Sequence, residues 1–185
     1  MKKTFAIGIA GGSASGKSSL CDRLEEQLEG YNKKVIHMDE YFKPEAERPY
    51  SKAPVMETMY VDDNHPETID LKQLHIDLKE ALYSDYDLII IEGLLVLWDE
   101  EILSALDLKL FVDCRADERI VRRLRRNMNW GLSFDEIANV YLDLVRYRHE
   151  EYVEPTKWRA DMILNGSKPS QLAEDGILEL IKKHI

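Results

Sequence analysis

The sequence predicts an α/β protein with a mostly parallel, five-stranded sheet and helices on both faces. Two observations carry this. First, five short β-rich runs alternate with amphipathic helical segments: Phe5–Ala10, Lys34–Met38, Leu88–Glu92, Leu108–Asp113 and Met162–Leu164. Second, a glycine-rich loop, Gly11-Gly12-Ser13-Ala14-Ser15-Gly16-Lys17-Ser18, joins the first strand to the first helix.

The first helix spans Lys17–Glu29, with Leu20, Leu24 and Leu28 spaced four apart on one face, and Gly30 is placed to cap it. The segment 42–63 is the least regular, with Pro44, Pro49 and Pro54 and mixed polarity. A stretch of that length within a domain points to a functional or mobile loop. Helices follow at Leu71–Tyr83, Glu100–Ala105 and Asp117–Asn127. A long helix then covers Phe134–Val153, opened by a capping box of Ser133 and Glu136. The last helix is Ser170–Lys183. No linker or internal repeat divides the chain, so residues 1–185 are expected to form one domain.

Composition narrows the classes. Apolar residues make up 44% and charged residues 32%, a globular profile. No run approaches the roughly 18 apolar residues of a membrane span, so no membrane partner is expected. A signal peptide beginning at Met1-Lys2-Lys3 would remove the glycine loop on cleavage, which excludes that reading. Cys21 and Cys114 stand apart without metal spacing, which fits a reducing, cytoplasmic compartment. A net charge of −10 argues against a nucleic-acid partner.

The glycine loop is G-x-x-x-x-G-K-[ST], the Walker A pattern, in its required strand–loop–helix context. Its backbone N–H groups turn inward around a phosphate chain, and the helix N-terminus adds partial positive charge. Gly11, Gly12, Ser13, Ala14, Ser15, Gly16, Lys17, Ser18 and Ser19 are therefore the expected ATP-binding residues. Lys17 reaches the β and γ phosphates, and Ser18 holds Mg²⁺. The fold class is that of the P-loop NTPases. Ligands in such sheets bind beyond the C-terminal strand ends. That rule gathers the loop, Asp39, Glu92 and the residues after Asp113 at one edge.

Asp39 can accept the proton of an attacking hydroxyl, or be an ordinary loop acid or helix cap. Glu92, ending the strand, can steady Mg²⁺ with Ser18, or face solvent. Arg119, Arg122, Arg123, Arg125 and Arg126 crowd one helix. Arg122, Arg123 and Arg126 share a face and can close over phosphates, or pair with Asp117 and Glu118 on a solvated surface. His65 either lines the acceptor pocket or caps the turn before Ile69. Asp62, Asp63 and Asn64 are candidate partners for sugar hydroxyls. His37 reads as structural, His75 as a helix residue without special role, and Trp98, Trp130 and Trp158 as packing residues.

Together these pieces resemble the uridine kinase and phosphoribulokinase family of P-loop kinases, from about Phe5 to Gly166. The resemblance rests on the phosphate loop, Met38-Asp39-Glu40-Tyr41-Phe42-Lys43, His65-Pro66-Glu67-Thr68-Ile69-Asp70 and Ile89-Ile90-Ile91-Glu92-Gly93. Leu110-Phe111-Val112-Asp113, the arginine helix and Val153-Glu154-Pro155-Thr156-Lys157 with Ala160-Asp161 complete it. It implies an ATP-dependent kinase acting on a primary hydroxyl, most simply of a uridine- or cytidine-like nucleoside. Asp39 is then the base, Lys17, Arg123 and Arg126 act on the phosphates, and a lid occupies about 115–132. Tyr41, Asp63, Asn64, His65 and Glu92 border the acceptor. Such kinases are often homo-oligomers.

Three departures bear on the acceptor. The family's pyrimidine-reading hairpin is missing, because Leu71–Asp87 reads as a helix and a short turn. Asn64 stands where the family has Asp. Arg126-Asn127-Met128-Asn129-Trp130-Gly131-Leu132 lacks at least two lid arginines. A nicotinamide riboside kinase-like enzyme is therefore an alternative, and a nucleotide-binding regulatory protein with little transferase activity is a second.

Overall fold

A computed structural model describes residues 4–185; the charged Met1-Lys2-Lys3 lies outside the described residues. Strand β1 (Phe5–Gly11) sits at the centre of the sheet. Helix α1 (Lys17–Gln27) and strand β2 (Lys33–His37) follow. A short antiparallel hairpin, β3 (Tyr50–Lys52) and β4 (Met59–Val61), stands apart from the main sheet. Then come α2 (Leu71–Tyr83), β5 (Leu88–Glu92), α3 (Glu100–Ala105), β6 (Leu108–Asp113), α4 (Ala116–Asn129) and α5 (Phe134–Val140). Helical structure continues through two π segments, Tyr141–Val145 and His149–Val153, with the short α6 (Arg146–Arg148) between them. Strand β7 (Met162–Asn165) and α7 (Gln171–Lys182) complete the chain.

The order across the sheet is β2-β5-β1-β6-β7, and every neighbouring pair is parallel. Parallel strands need crossovers, so helices cover both faces and the central strands are buried on both sides, while the edge strands β2 and β7 are partly exposed. Strand β5 shows this best. Leu88 and Ile90 pack with Leu20, Leu24 and Leu178, whereas Ile89 and Ile91 pack with Leu74, Leu78 and Ile102. The expected stripe on α1 is real: Leu20, Leu24 and Leu28 are all buried, each stabilising the fold by roughly 1.5–3 kcal/mol.

The expected strands and helices lie where the pattern placed them, to within a residue or two at their ends. Three features differ. Helix α1 ends at Gln27 with Leu28 as its capping residue, and Gly30 has no left-handed φ, so Gly30 does not cap it. The irregular segment contains the β3–β4 hairpin. The long helix is expanded by π turns at two places, which shift the directions of the side chains that follow. The Ser133–Glu136 capping box is present, and residues 84–87 alone connect α2 to β5.

Candidate active site

The phosphate loop follows β1 at the C-terminal edge of the sheet. Gly16 enters α1 at φ +104°, a left-handed geometry that costs a residue with Cβ but not glycine. That geometry starts the helix at Lys17, behind the loop's N–H groups. Two buried polar atoms here, Ser15 Oγ and Arg123 Nε, have no hydrogen-bond partner. Uncompensated buried polar atoms are costly, and anionic oxygens at the loop would satisfy both. The cradle therefore fits a polyphosphate.

Glu92 ends β5, with Ile9 and His37 beside it in register on the flanking strands. It is buried, so it does not face solvent. Its carboxylate is held by three groups. Lys17 Nζ lies 3.6 Å away, the Ser18 hydroxyl donates across 3.3 Å, and His37 Nδ1 is at 3.0 Å. His37 is strand-borne, as expected, and its ring supports Glu92. One hydroxyl and one carboxylate suit Mg²⁺, which keeps several waters and takes the rest of its shell from phosphates. Among the described residues no group of three or more His, Cys, Asp or Glu could hold a metal alone.

Asp39 lies on the 3₁₀ turn Met38–Tyr41 that follows β2. Met38 anchors this turn by packing on Gly93, where an added Cβ would stand 2.4 Å from the Met38 Cβ. Asp39 itself is exposed and lines a cleft of about 590 Å³ with Lys17, Ser13, Arg123 and Arg126. Asp63 and Asn64 border the same cleft.

The arginine helix, α4, faces the loop. Arg123 donates to Ser13 Oγ at 2.8 Å and Arg126 to the same atom at 3.4 Å. Arg122 donates to the Gly166 carbonyl at 3.0 Å and the Ser15 carbonyl at 3.4 Å, while also pairing with Glu118. Burial lowers the pKa of Arg123, with Arg126 adding to the effect; burial likewise lowers that of Arg126, against the pull of Asp39. Arg119 is buried and donates to the Cys114 carbonyl at 3.0 Å, whereas Arg125 points to solvent.

Some expected acceptor residues are placed elsewhere. The Tyr41 hydroxyl donates to Asp77 at 2.7 Å on α2, in a separate groove beside Lys43 and Glu47. His65 accepts the Glu67 N–H, capping the turn Pro66–Thr68, and packs edge-on against Tyr152. Asp62 is fully buried and bonded to Arg148 at 2.6 Å, so no sugar hydroxyl reaches it. Asp63 is paired with Arg48 at 3.0 Å. His75 is not idle: it bridges Asp99 at 2.8 Å and Glu101 at 3.2 Å, tying α2 to α3.

Other cleft residues gave no functional signal in the sequence. Tyr60 comes from the hairpin, and its hydroxyl donates to Asp143 at 2.8 Å. Trp130, read as a packing residue, is 69% exposed and borders the cleft. Trp158 is also exposed, while Trp98 packs against the core and Tyr152 as expected. Beneath the loop lies His149, close to where a side chain on Gly12 would project. Burial, then Arg119, pushes its pKa down to about 4, against the pull of Glu154 and Asp113.

The fold and this edge of the sheet define a P-loop phosphotransferase. The Phosphoribulokinase / Uridine kinase family model matches residues 52–173, and the chain belongs to that family. A uridine kinase of Bacillus licheniformis is 35% identical, covering 94% of this chain and 92% of the relative. One from Lactococcus lactis is also 35% identical, over 89% of each chain. Among solved structures, phosphoribulokinase from Rhodobacter spheroides is 16% identical with TM-score 0.65, covering 89% of this chain and 71% of its own. A possible uridine kinase from Bacillus stearothermophilus is 22% identical with TM-score 0.54, covering 88% and 89%. Both structures share the fold. The chain is a phosphotransferase with a hydroxyl acceptor.

Proposed function

We propose that this protein is an ATP-dependent nucleoside kinase that phosphorylates the primary hydroxyl of a uridine- or cytidine-like riboside. One observation carries the reading: Asp39, Lys17, Arg123 and Arg126 line a single cleft between the phosphate loop and the hairpin. The uridine kinases that align over nearly all of the chain support the acceptor class.

The phosphates of ATP lie on Gly11–Ser19. Lys17 and the two arginines neutralise charge that builds on the transferred group, and Asp39 orients the acceptor hydroxyl and takes its proton. Ser18 and Glu92 would hold Mg²⁺, which, when bound, neutralises phosphate charge. Positioning and electrostatics supply most of the rate in such transfers. We place Asp63 and Asn64 beside the sugar, the lid at about 115–132, and residues 1–185 in one kinase domain. Cys21 and Cys114, both buried and unpaired, support a reducing, cytoplasmic setting.

ADP release with ATP and Mg²⁺ tests this across uridine, cytidine, adenosine, nicotinamide riboside and no acceptor. Stimulation by uridine or cytidine is expected. Stimulation by nicotinamide riboside alone would move the acceptor to that class, and bound ATP with no stimulated turnover would favour a regulatory role.

A further inference from the structure

Three aromatic rings from three separate segments line the cleft: Phe42 after the Asp39 turn, Tyr60 on β4, and Trp130 at the end of α4. Each is oriented by a polar partner. The Arg48 guanidinium lies 5.1 Å from the Phe42 ring centre, and Asp143 holds the Tyr60 hydroxyl. Arg126 lies 5.0 Å over the Trp130 ring. Only the last partner also reaches the phosphate loop, through the Arg126 bond to Ser13.

Trp130 is the most exposed of the three, with 69% of its surface open. A lone exposed apolar residue needs no explanation. This one sits in the reaction cleft, beside a residue that contacts the phosphate loop, and at the start of the sharp turn made by Gly131 at φ +94°. Aromatic faces hold flat heterocycles by stacking whatever their edge pattern. Arg126 over the ring gains a cation–π attraction that fixes where its guanidinium points.

We propose that Trp130 is the platform on which the aromatic ring of the acceptor stacks, and that it positions Arg126 at the phosphate loop. The acceptor is then a primary alcohol carrying a flat ring, which rests on the riboside reading above. Trp130 is a specificity and positioning residue, and it joins acceptor recognition to phosphate neutralisation through one side chain.

The test compares Trp130→Ala, Trp130→Leu and Trp130→Phe with the wild-type enzyme. The acceptors are whichever aromatic riboside gives most turnover and methyl riboside, which has the sugar but no ring. Stacking predicts that Ala and Leu raise KM for the aromatic riboside about 5- to 100-fold, with KM for ATP nearly unchanged. Phe restores KM to within about threefold, because it keeps a π face. Methyl riboside turnover falls only through kcat, reporting loss of the Arg126 position. If Leu rescues as well as Phe, the residue is apolar filler and the platform is overturned. An Ala variant equal to wild type on the aromatic riboside overturns it too. If the wild-type enzyme turns over no riboside at all, the nucleoside reading itself fails and this inference goes with it.

Discussion

On the side of the cleft we assign to the phosphates, nine consecutive residues from Gly11 to Ser19 form one continuous loop, and a single helix brings Arg122, Arg123 and Arg126 against it. On the acceptor side, Asp39, Tyr60, Asn64 and Trp130 come from four places along the chain. They are held there by contacts such as Tyr60 with Asp143 and Arg148 with Asp62, each bridging more than eighty residues. In the first half a local sequence fixes the backbone of the loop, and one distant helix adds its arginines as a unit. The second works through side chains whose positions depend on distant partners. Substitutions should therefore act differently in the two halves: through turnover near the phosphates, and through acceptor KM at the aromatic wall.

The largest effect should fall where the halves meet. Asp39→Asn keeps the shape but cannot take a proton, so kcat should drop by roughly 10²–10⁴. ATP affinity, measured by equilibrium binding, should stay as it is. A fully active variant would remove Asp39 from the role of base. Next, Arg123→Ala removes a half-buried donor that reaches the loop at Ser13. A loss of about 10²–10³ in kcat is expected, with acceptor KM little changed. If acceptor KM rises instead, Arg123 belongs to the acceptor half and the division fails there.

Tyr60→Phe probes the hairpin by deleting only its hydroxyl. The lost Tyr60–Asp143 bond is worth about 1 kcal/mol, so loosening the hairpin should raise acceptor KM by at most about fivefold while kcat at saturation holds. An equal fall in turnover would show that the hairpin also shapes the phosphate side.

The last effect is on stability and not on turnover, and it concerns the support beneath the loop. His149 has its pKa pushed down to about 4 in the fold, against an ordinary imidazole value of 6.5. Between those values the unfolded chain binds the proton and the native state does not. This contribution to stability is therefore fully present above pH 6.5 and is lost as pH falls toward about 4. Urea midpoints at about pH 7.5 and about pH 4.5 should differ less in His149→Gln than in the parent protein. An equally steep acid loss in the variant would place the sensitivity at other groups.

The sequence alone determined the parallel sheet, the glycine-rich loop after its first strand and the sheet edge at which we propose the chemistry. These follow from local patterns: apolar runs in β1 and β5, a fourfold leucine spacing on α1, and a loop whose glycines and lysine are contiguous. It also placed three arginines on one face, since helical spacing fixes that. The hairpin was hidden because each strand is only three residues long, too short to show alternation, amid Pro44, Pro49 and Pro54. The π turns were hidden because a switch from i→i+4 to i→i+5 hydrogen bonds carries no residue-type signature of its own.

Tertiary structure decided which polar groups remain available. Asp62 and Asp63 are adjacent and chemically alike, yet Arg148 buries one in an ion pair while the other stays at the cleft. Tyr41 turns to Asp77, and Trp130 is left open beside Arg126. Sequence neighbours share a backbone path but not a set of partners. Hydrogen bonds and burial are settled by whatever the fold brings alongside, and here they separate residues bound up inside the structure from residues left open on the cleft.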